Sequence, residues 1–315
     1  MVPVRAKASG SALPREGPLA QKRGIGYAKR LCSGELVSGF VLALVLFGAL
    51  LHASWNALLK AQADMVSATA LVAVGTGVVA IPVMLALPLP AAAALPYLIA
   101  SALIHVGYFA LVGYAYRAAD LGAAYPLSRG SAPVVTALLA FLLIGEALAW
   151  SAWLAIGAIA VGIVALSADA LLRGGLTVRA GAAALTNGGV IVTYTLIDGL
   201  GARAAGNGVA YGAWMIAGTG ALIAILALAA RGRAAVATAR AGWPIALIGG
   251  ALVLGSYGIA LWAMTIAPIG LVASLRETSV LFAAMLGAYF FGEPFGPRRW
   301  AALALIVGGI VVLRL

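Results

Sequence analysis

The chain has 315 residues, 64% of them apolar and 9% charged, with a mean hydropathy of +1.08 and a formal net charge of +11. A soluble domain holds roughly 45–50% apolar and about 25% charged residues, and much of its surface must face water, so this composition excludes a soluble protein. The positive charge does not indicate a nucleic-acid partner: the basic residues stand singly or in pairs between apolar runs, or in an N-terminal tail, where anionic lipid headgroups account for them.

Residues 1–35 are small, polar and basic and are expected to be a disordered tail outside the fold; Cys32, the one cysteine, lies there, so no intrachain disulfide can form. Beyond it, a spanning helix needs about 20 mostly apolar residues. Charges, prolines and turn glycines divide the chain into ten such segments, at 36–59, 66–87, 94–115, 121–144, 151–171, 180–201, 208–230, 243–264, 268–291 and 297–314. The runs are too long for strands and lack period-two alternation, which excludes a β-barrel. The predicted class is an all-α integral membrane protein with links too short for a soluble domain.

In segment one, His52, Asn56 and Lys60 share a helical face with Trp55, and a polar stripe on an apolar helix faces a cavity or partner helices. Trp55 and Asn56 are candidate pocket-wall residues, and Lys60 belongs to the interface. Segment three carries Ser101, His105 and Tyr108 on one face. Segment four carries Tyr125, Pro126, Arg129 and Pro133, and ends near Glu146. Segment six aligns Asn187, Tyr194 and Asp198; with Arg203 close by at the helix end, Asp198 is expected to form an interfacial ion pair. Tyr257 lies in segment eight, and Pro268, Arg276 and Glu277 in segment nine.

The chain repeats itself. One offset of 147 residues superposes Arg129 on Arg276, Gly145-Glu146 on Gly292-Glu293, Trp153 on Trp300 and Gly162 on Gly309. The predicted organisation is two five-helix halves, 36–171 and 180–314. Five is odd, so the second half enters the membrane from the opposite side, an inverted repeat of the kind that lets transporters alternate access around a midplane site.

These residues carry a resemblance. HASWNALLK (52–60), AYRAADLGAAYPLSRGSAP (115–133), the Gly-Glu after segment four, YTLIDGLGAR (194–203) and AMTIAPIGLVASLRETSVLFAAMLGAYFFGE (263–293) resemble the drug/metabolite transporter superfamily, specifically its ten-helix EamA family. The resemblance covers the chain beyond the tail. It implies a transporter of small metabolites, often an exporter of amino acids or related compounds.

Charges inside a bilayer are costly and mark function by default. Arg129 and Arg276 occupy equivalent places in segments four and nine, and two guanidiniums facing one cavity would hold a carboxylate or phosphate. Pro126, Pro133 and Pro268 are candidate hinges, the first two expected to break segment four. Tyr108, Tyr125, Tyr194 and Tyr257, with Trp55 and Asn56, complete the candidate substrate-binding set. Glu277 and His105 are candidates for proton coupling. A competing reading of Glu277 is an ion pair with an arginine from another helix, its neighbour Arg276 lying about 100° away around the helix. Glu146 and Glu293 are expected to make structural contacts at helix ends.

No zinc-protease, P-loop or nucleophile-elbow motif occurs, and no cofactor or metal site is expected. The expected partners are a small-molecule substrate and membrane lipid, with no nucleic acid, for a monomer or homodimer in the inner (cytoplasmic) membrane. Basic residues favour odd-numbered loops over even ones and the C-terminus by nine to two, placing both termini outside, although the seven in the tail pull the other way. A lipid-linked sugar or phospholipid flippase and a non-transporting scaffold or sensor remain the alternatives.

Overall fold

The computed structural model describes residues 38–117, 121–166, 178–292 and 296–314. The tail, Cys32 and Glu293 lie outside the described residues, as do the side chains of Tyr125 and Pro126. Every described element is helical, and the described residues from 38 onward belong to one compact unit.

The helices are α1 (Gly39–Lys60), α2 (Met65–Ala86), α3 (Leu95–Arg117), α4 (Leu121–Leu139), α5 (Trp150–Leu166), α6 (Val178–Ala204), α7 (Gly208–Arg231), α8 (Arg233–Ala241), α9 (Trp243–Met264), α10 (Ile269–Glu277), α11 (Ser279–Phe291) and α12 (Pro297–Val312). Their starts follow from local chemistry. Ser38 accepts from the Val41 amide at 3.3 Å, Asp64 from Val66 and Ser67 at 3.1 Å, and Asn207 from Val209 and Ala210 at 3.1 Å, each satisfying donors that a helix start leaves free. Hydrogen bonding from Ser67, its side chain first, holds the Asp64 carboxyl below its ordinary range.

Gly145 and Gly292, equivalent in the repeat, both adopt left-handed backbone, with φ of 74° and 65°. A side chain there would be strained, and glycine lets the chain reverse at once after an apolar helix. This is the physical content of the repeated Gly-Glu: the turn at Gly145 carries Glu146 back against the bundle, where it is 6% exposed.

Six helical stretches are long and apolar enough to cross a membrane: Gly39–Lys60, Met65–Ala86, Ala92–Phe109, Gly208–Arg231, Trp243–Met264 and Ile269–Phe291. Arg129–Ile144 and Trp150–Leu166 are shorter apolar helices. Large apolar side chains such as Phe40, Leu85, Leu143 and Tyr289 point outward, as lipid contact requires.

Packing follows the repeat. Helices α5 and α12, equivalent in sequence, pack on each other, as do α2 with α7 and α4 with α10. The contact of α1 with α9 has its counterpart in α6 with α3, and that of α1 with α10 and α11 in α6 with α4. Glycine sets the closest of these approaches. A Cβ on Gly77 would stand 3.0 Å from the Gly220 Cα, and one on Gly220 would stand 2.8 Å from the Gly77 Cα, so α2 and α7 meet backbone to backbone. Gly162 and Gly309 do the same for α5 and α12, against Ala302 and Ala155 carbonyls each 2.9 Å from the missing Cβ.

Two details depart from expectation. Helix α4 runs through Pro126 and Pro133 without a break and leaves α-geometry only at its end, where Ala140–Ile144 forms a π-helical turn. Membrane helices tolerate proline because neighbouring groups satisfy the freed carbonyls. The interruption falls instead in segment nine, at Thr278 between α10 and α11, where the Thr278 hydroxyl donates to the Leu275 carbonyl at 2.6 Å. Pro268 stands just before α10, as its cap residue. The second is α8, a short amphipathic helix of basic and small residues in a link to which the sequence assigns no element.

Candidate functional site

All nine residues of α10 are buried, including Arg276 and Glu277 at its C-terminal end. This short helix is held at its start by Glu146, whose carboxylate accepts the Ile269 amide at 2.8 and 3.1 Å. Pro268 has no amide hydrogen to offer, so Ile269 supplies the first free donor of the helix, and a carboxylate at that end also opposes the helix dipole favourably. Arg203 pairs with the same carboxylate and donates to the carbonyls of Met264 and Ala267, at 2.8 and 3.0 Å. Glu146 is therefore the helix-end contact expected of it, with Arg203 as its partner.

At the other end, α10 meets α1, α4 and α6. The Arg129 guanidinium donates to both oxygens of Glu277, at 3.0 and 3.2 Å. Arg276 lies 3.7 Å from the same carboxylate, despite the angle between adjacent helical positions, because both side chains are long enough to swing together. Arg129, Arg276 and Glu277 are 2%, 3% and 2% exposed, so both guanidiniums meet the Glu277 carboxylate away from water. Among the described residues no second carboxylate lies within ion-pair distance of Arg276. Removing one partner of such a buried pair costs about 3–5 kcal/mol, because the other charge is stranded.

The second Nη of Arg129 stands 3.1 Å from His52 Nε2. A guanidinium can only donate, so Nε2 accepts and the ring proton sits on Nδ1. The Trp55 indole nitrogen, 3.4 Å from Nδ1, is then a packing contact, and its ring meets the imidazole edge-on at 5.3 Å. Asn56 uses its amide on the His52 carbonyl at 2.7 Å, within its own helix.

Arg276 faces a second group of residues. It donates to the Tyr194 hydroxyl at 3.4 Å and lies over the rings of Tyr257 and Tyr194, at 5.3 and 6.0 Å from their centroids. Its Nε hydrogen is buried and meets no acceptor among the described residues. The His105 ring stacks 4.5 Å from Tyr194, and Tyr108 meets Tyr194 edge-on at 5.7 Å. Behind these rings Asp198, 0% exposed, accepts from Tyr211 at 2.9 Å and from Tyr257.

The residues picked from the sequence thus divide. Arg129, Arg276 and Glu277 form one cluster, and Tyr108, Tyr194, Tyr257 and His105 an aromatic group against it. Trp55 touches the cluster through His52, and nothing joins Asn56 to it directly. Pro133 is buried in α4, four residues beyond Arg129.

Comparison with known proteins agrees with this architecture. The EamA-like transporter family matches residues 190–315. The uncharacterized protein PA1977 of Pseudomonas aeruginosa is 33% identical over 210 residues, which is 65% of this chain and 69% of that protein. The chain belongs to the EamA-like transporter family. It is a multi-pass membrane transporter of the drug/metabolite type, from a family of transporters and not of enzymes. One solved crystal structure superposes with a TM-score of 0.67, covering 89% of the transporter and 99% of that chain, and at 20% identity it shares the fold.

Three residues of the transporter's site were not singled out for it from sequence: His52, Asp198 and Tyr211. The expected Asp198–Arg203 pair does not form. Five positions along a helix turn a side chain by about 140°, so Arg203 points away from the Asp198 face and toward Glu146. The signal that could have found Asp198 is its spacing from Tyr194, one turn apart on the same face.

Proposed function

We propose that the transporter moves a small anionic or zwitterionic metabolite, such as an amino acid or a related carboxylate, outward across the inner (cytoplasmic) membrane. Ten spans arranged as two inverted five-helix repeats would give alternating access to a midplane site. The observation that carries this reading is at the end of α10: the buried Arg276 lies 3.7 Å from Glu277, and its Nε hydrogen meets no acceptor among the described residues. A substrate carboxylate beside Arg276 would supply an acceptor and a negative charge together, and charge-assisted hydrogen bonds of this kind are the strong ones. Binding the substrate's charge would compete with the Arg276–Glu277 contact, giving the site two arrangements with different partners, which alternating access requires.

The interruption at Thr278 lies one residue beyond Glu277, so movement of α10 relative to α11 would reach the arginines directly. The basic residues of the odd-numbered loops support a cytoplasmic position for those loops and an outer position for both termini.

The test is uptake of labelled amino acids and dicarboxylates by proteoliposomes holding the full chain. Arg276→Ala is expected to abolish flux with normal insertion, and Arg276→Lys to restore part of it. Undiminished flux in Arg276→Ala refutes the assignment. Flux of a lipid-linked sugar in its place would favour the flippase reading.

A further inference from the structure

Helix α8 links two spans, α7 and α9, so both of its ends are fixed at one surface of the membrane. Gly232 alone joins α7 to α8, with φ of 53°, a backbone that turns the chain at once and that other residues resist. Gly242 joins α8 to α9 and is buried; a Cβ there would stand 2.5 Å from the Leu71 side chain of α2. Arg231, the last residue of α7, donates to the Ser67 hydroxyl of α2 at 3.3 Å. Both ends of α8 are thus tied to the first two turns of α2.

The protein itself does little to hold α8 in helical form. An isolated helix shorter than roughly 12–15 residues is marginal in water, so a helix of nine depends on packing. Yet none of its residues is buried, and only Ala235 and Thr238 are half-buried. Seven positions bring Arg233 and Arg240 within about 20° of each other, on the side opposite Ala235 and Thr238. Val236, 40% exposed, lies beside them, and Trp243, just past the helix, is 60% exposed. Among the described residues neither arginine has a carboxylate within ion-pair distance.

We infer that α8 is an interfacial helix whose outer face binds anionic phospholipid headgroups, Arg233 and Arg240 meeting the phosphates and Val236 and Trp243 the acyl boundary. Charge complementarity points to this occupant: guanidiniums pair with phosphate through two parallel hydrogen bonds, and a leaflet with anionic lipid supplies phosphates in the plane of the helix. Tryptophan marks the headgroup level, and arginine with apolar neighbours on a short surface helix suits that layer. The lipid-facing surface also runs up to α8 from both sides, through Leu226 of α7 and Ile248 of α9, 54% and 57% exposed. A protein partner would find only one large apolar side chain on α8, Val236, which is little to bury.

Basic loop residues in general are drawn to anionic lipid; α8 differs in fixing two guanidiniums about 10 Å apart along one rigid axis. Its flanking spans both pack on α2, and α9 carries Tyr257 of the central site. Headgroups bound at α8 therefore brace the ends of two spans that frame that site.

Hydrogen exchange of the α8 amides tests this on the full-length protein, in vesicles of phosphatidylcholine alone or mixed with phosphatidylglycerol. Phosphatidylglycerol should slow exchange over residues 233–241 by about fivefold for each arginine, the effect of one basic residue at an anionic surface. The slowing should disappear in Arg233→Gln with Arg240→Gln, and at high salt, which screens exposed charge. Inorganic phosphate added to phosphatidylcholine vesicles should not reproduce it. Exchange indifferent to phosphatidylglycerol, or slowed equally in the double variant, overturns the inference. So does slowing by inorganic phosphate alone, which would mark a site for a soluble anion. Slowing that follows protein density in phosphatidylcholine would mark a second copy of the chain, and overturns it too. Both arginines are exposed, so the double variant is expected to insert normally; if it does not, the salt dependence of the wild type decides. The result is independent of what the transporter carries.

Discussion

Two carboxylates are buried in the helical bundle, and they differ in what they pair with. Glu277 sits at the end of α10 with Arg129 on both oxygens, joined across a sequence separation of 148 residues. Asp198 sits in α6 with two tyrosine hydroxyls and no cation. The first ties α4 to α10, equivalent elements of the two repeats, and is a structural clasp as well as a charge reservoir. The second ties α6 to α7 and α9 through neutral donors. The lesson is that burial alone does not assign a role to an acid in a membrane; the partner does.

The comparison can be broken by neutralising each acid in turn. Glu277→Gln takes a buried carboxylate away from two guanidiniums and is expected to cost about 3–5 kcal/mol of stability, read as a large fall in detergent thermal midpoint. A loss below about 1 kcal/mol would mean the pair is solvated and the clasp absent. Glu146→Gln is next. It weakens the contact with Arg203, whose side chain is 29% exposed, but keeps an acceptor for the Ile269 amide, so about 1–2 kcal/mol is expected on the same assay. Asp198→Asn should cost less than about 1 kcal/mol, because a carboxamide oxygen still accepts from a phenol and an uncompensated charge is removed. If Asp198→Asn proves more damaging than Glu277→Gln, the contrast between the two acids is reversed.

The smallest effect belongs to Asp64, a carboxylate in water. Its folded-state value is depressed by Ser67 and by the amides it caps, so the stability it lends α2 is present above the ordinary aspartate range and lost as pH falls through the lowered value. Asp64→Asn keeps a good cap that does not titrate. Fraying of α2, followed by hydrogen exchange, should rise at acid pH in the wild type and stay flat in the variant.

Much of the fold was legible because lipid imposes a coarse rule, and each of the ten apolar segments corresponds to helix within a few residues at its described ends. The rule is silent about short polar helices, so α8 was missed. It misplaced the irregularity: proline at 126 and 133 suggested a break in α4, but the interruption falls at Thr278, where hydroxyls and not proline bond the carbonyls. Arg129 and Arg276 were legible for the same reason as the spans, since a charge among apolar residues has few bland explanations. What Glu277 and Asp198 pair with was not, because the partners come from helices distant in sequence. Local spacing suggested Arg203 for Asp198, and helical geometry forbids it.

The central claim is that the shared charge at Arg129 and Arg276 awaits an anionic group. The most direct measurement is the metabolite profile of medium and cytoplasm from cells carrying the wild-type transporter, Arg276→Ala at equal membrane abundance, or neither. The expected result is that the metabolites redistributed by the wild type bear a carboxylate, and that Arg276→Ala cells match cells without the protein. Redistribution confined to cations or lipid-linked molecules, or a profile unchanged by Arg276→Ala, would contradict the account.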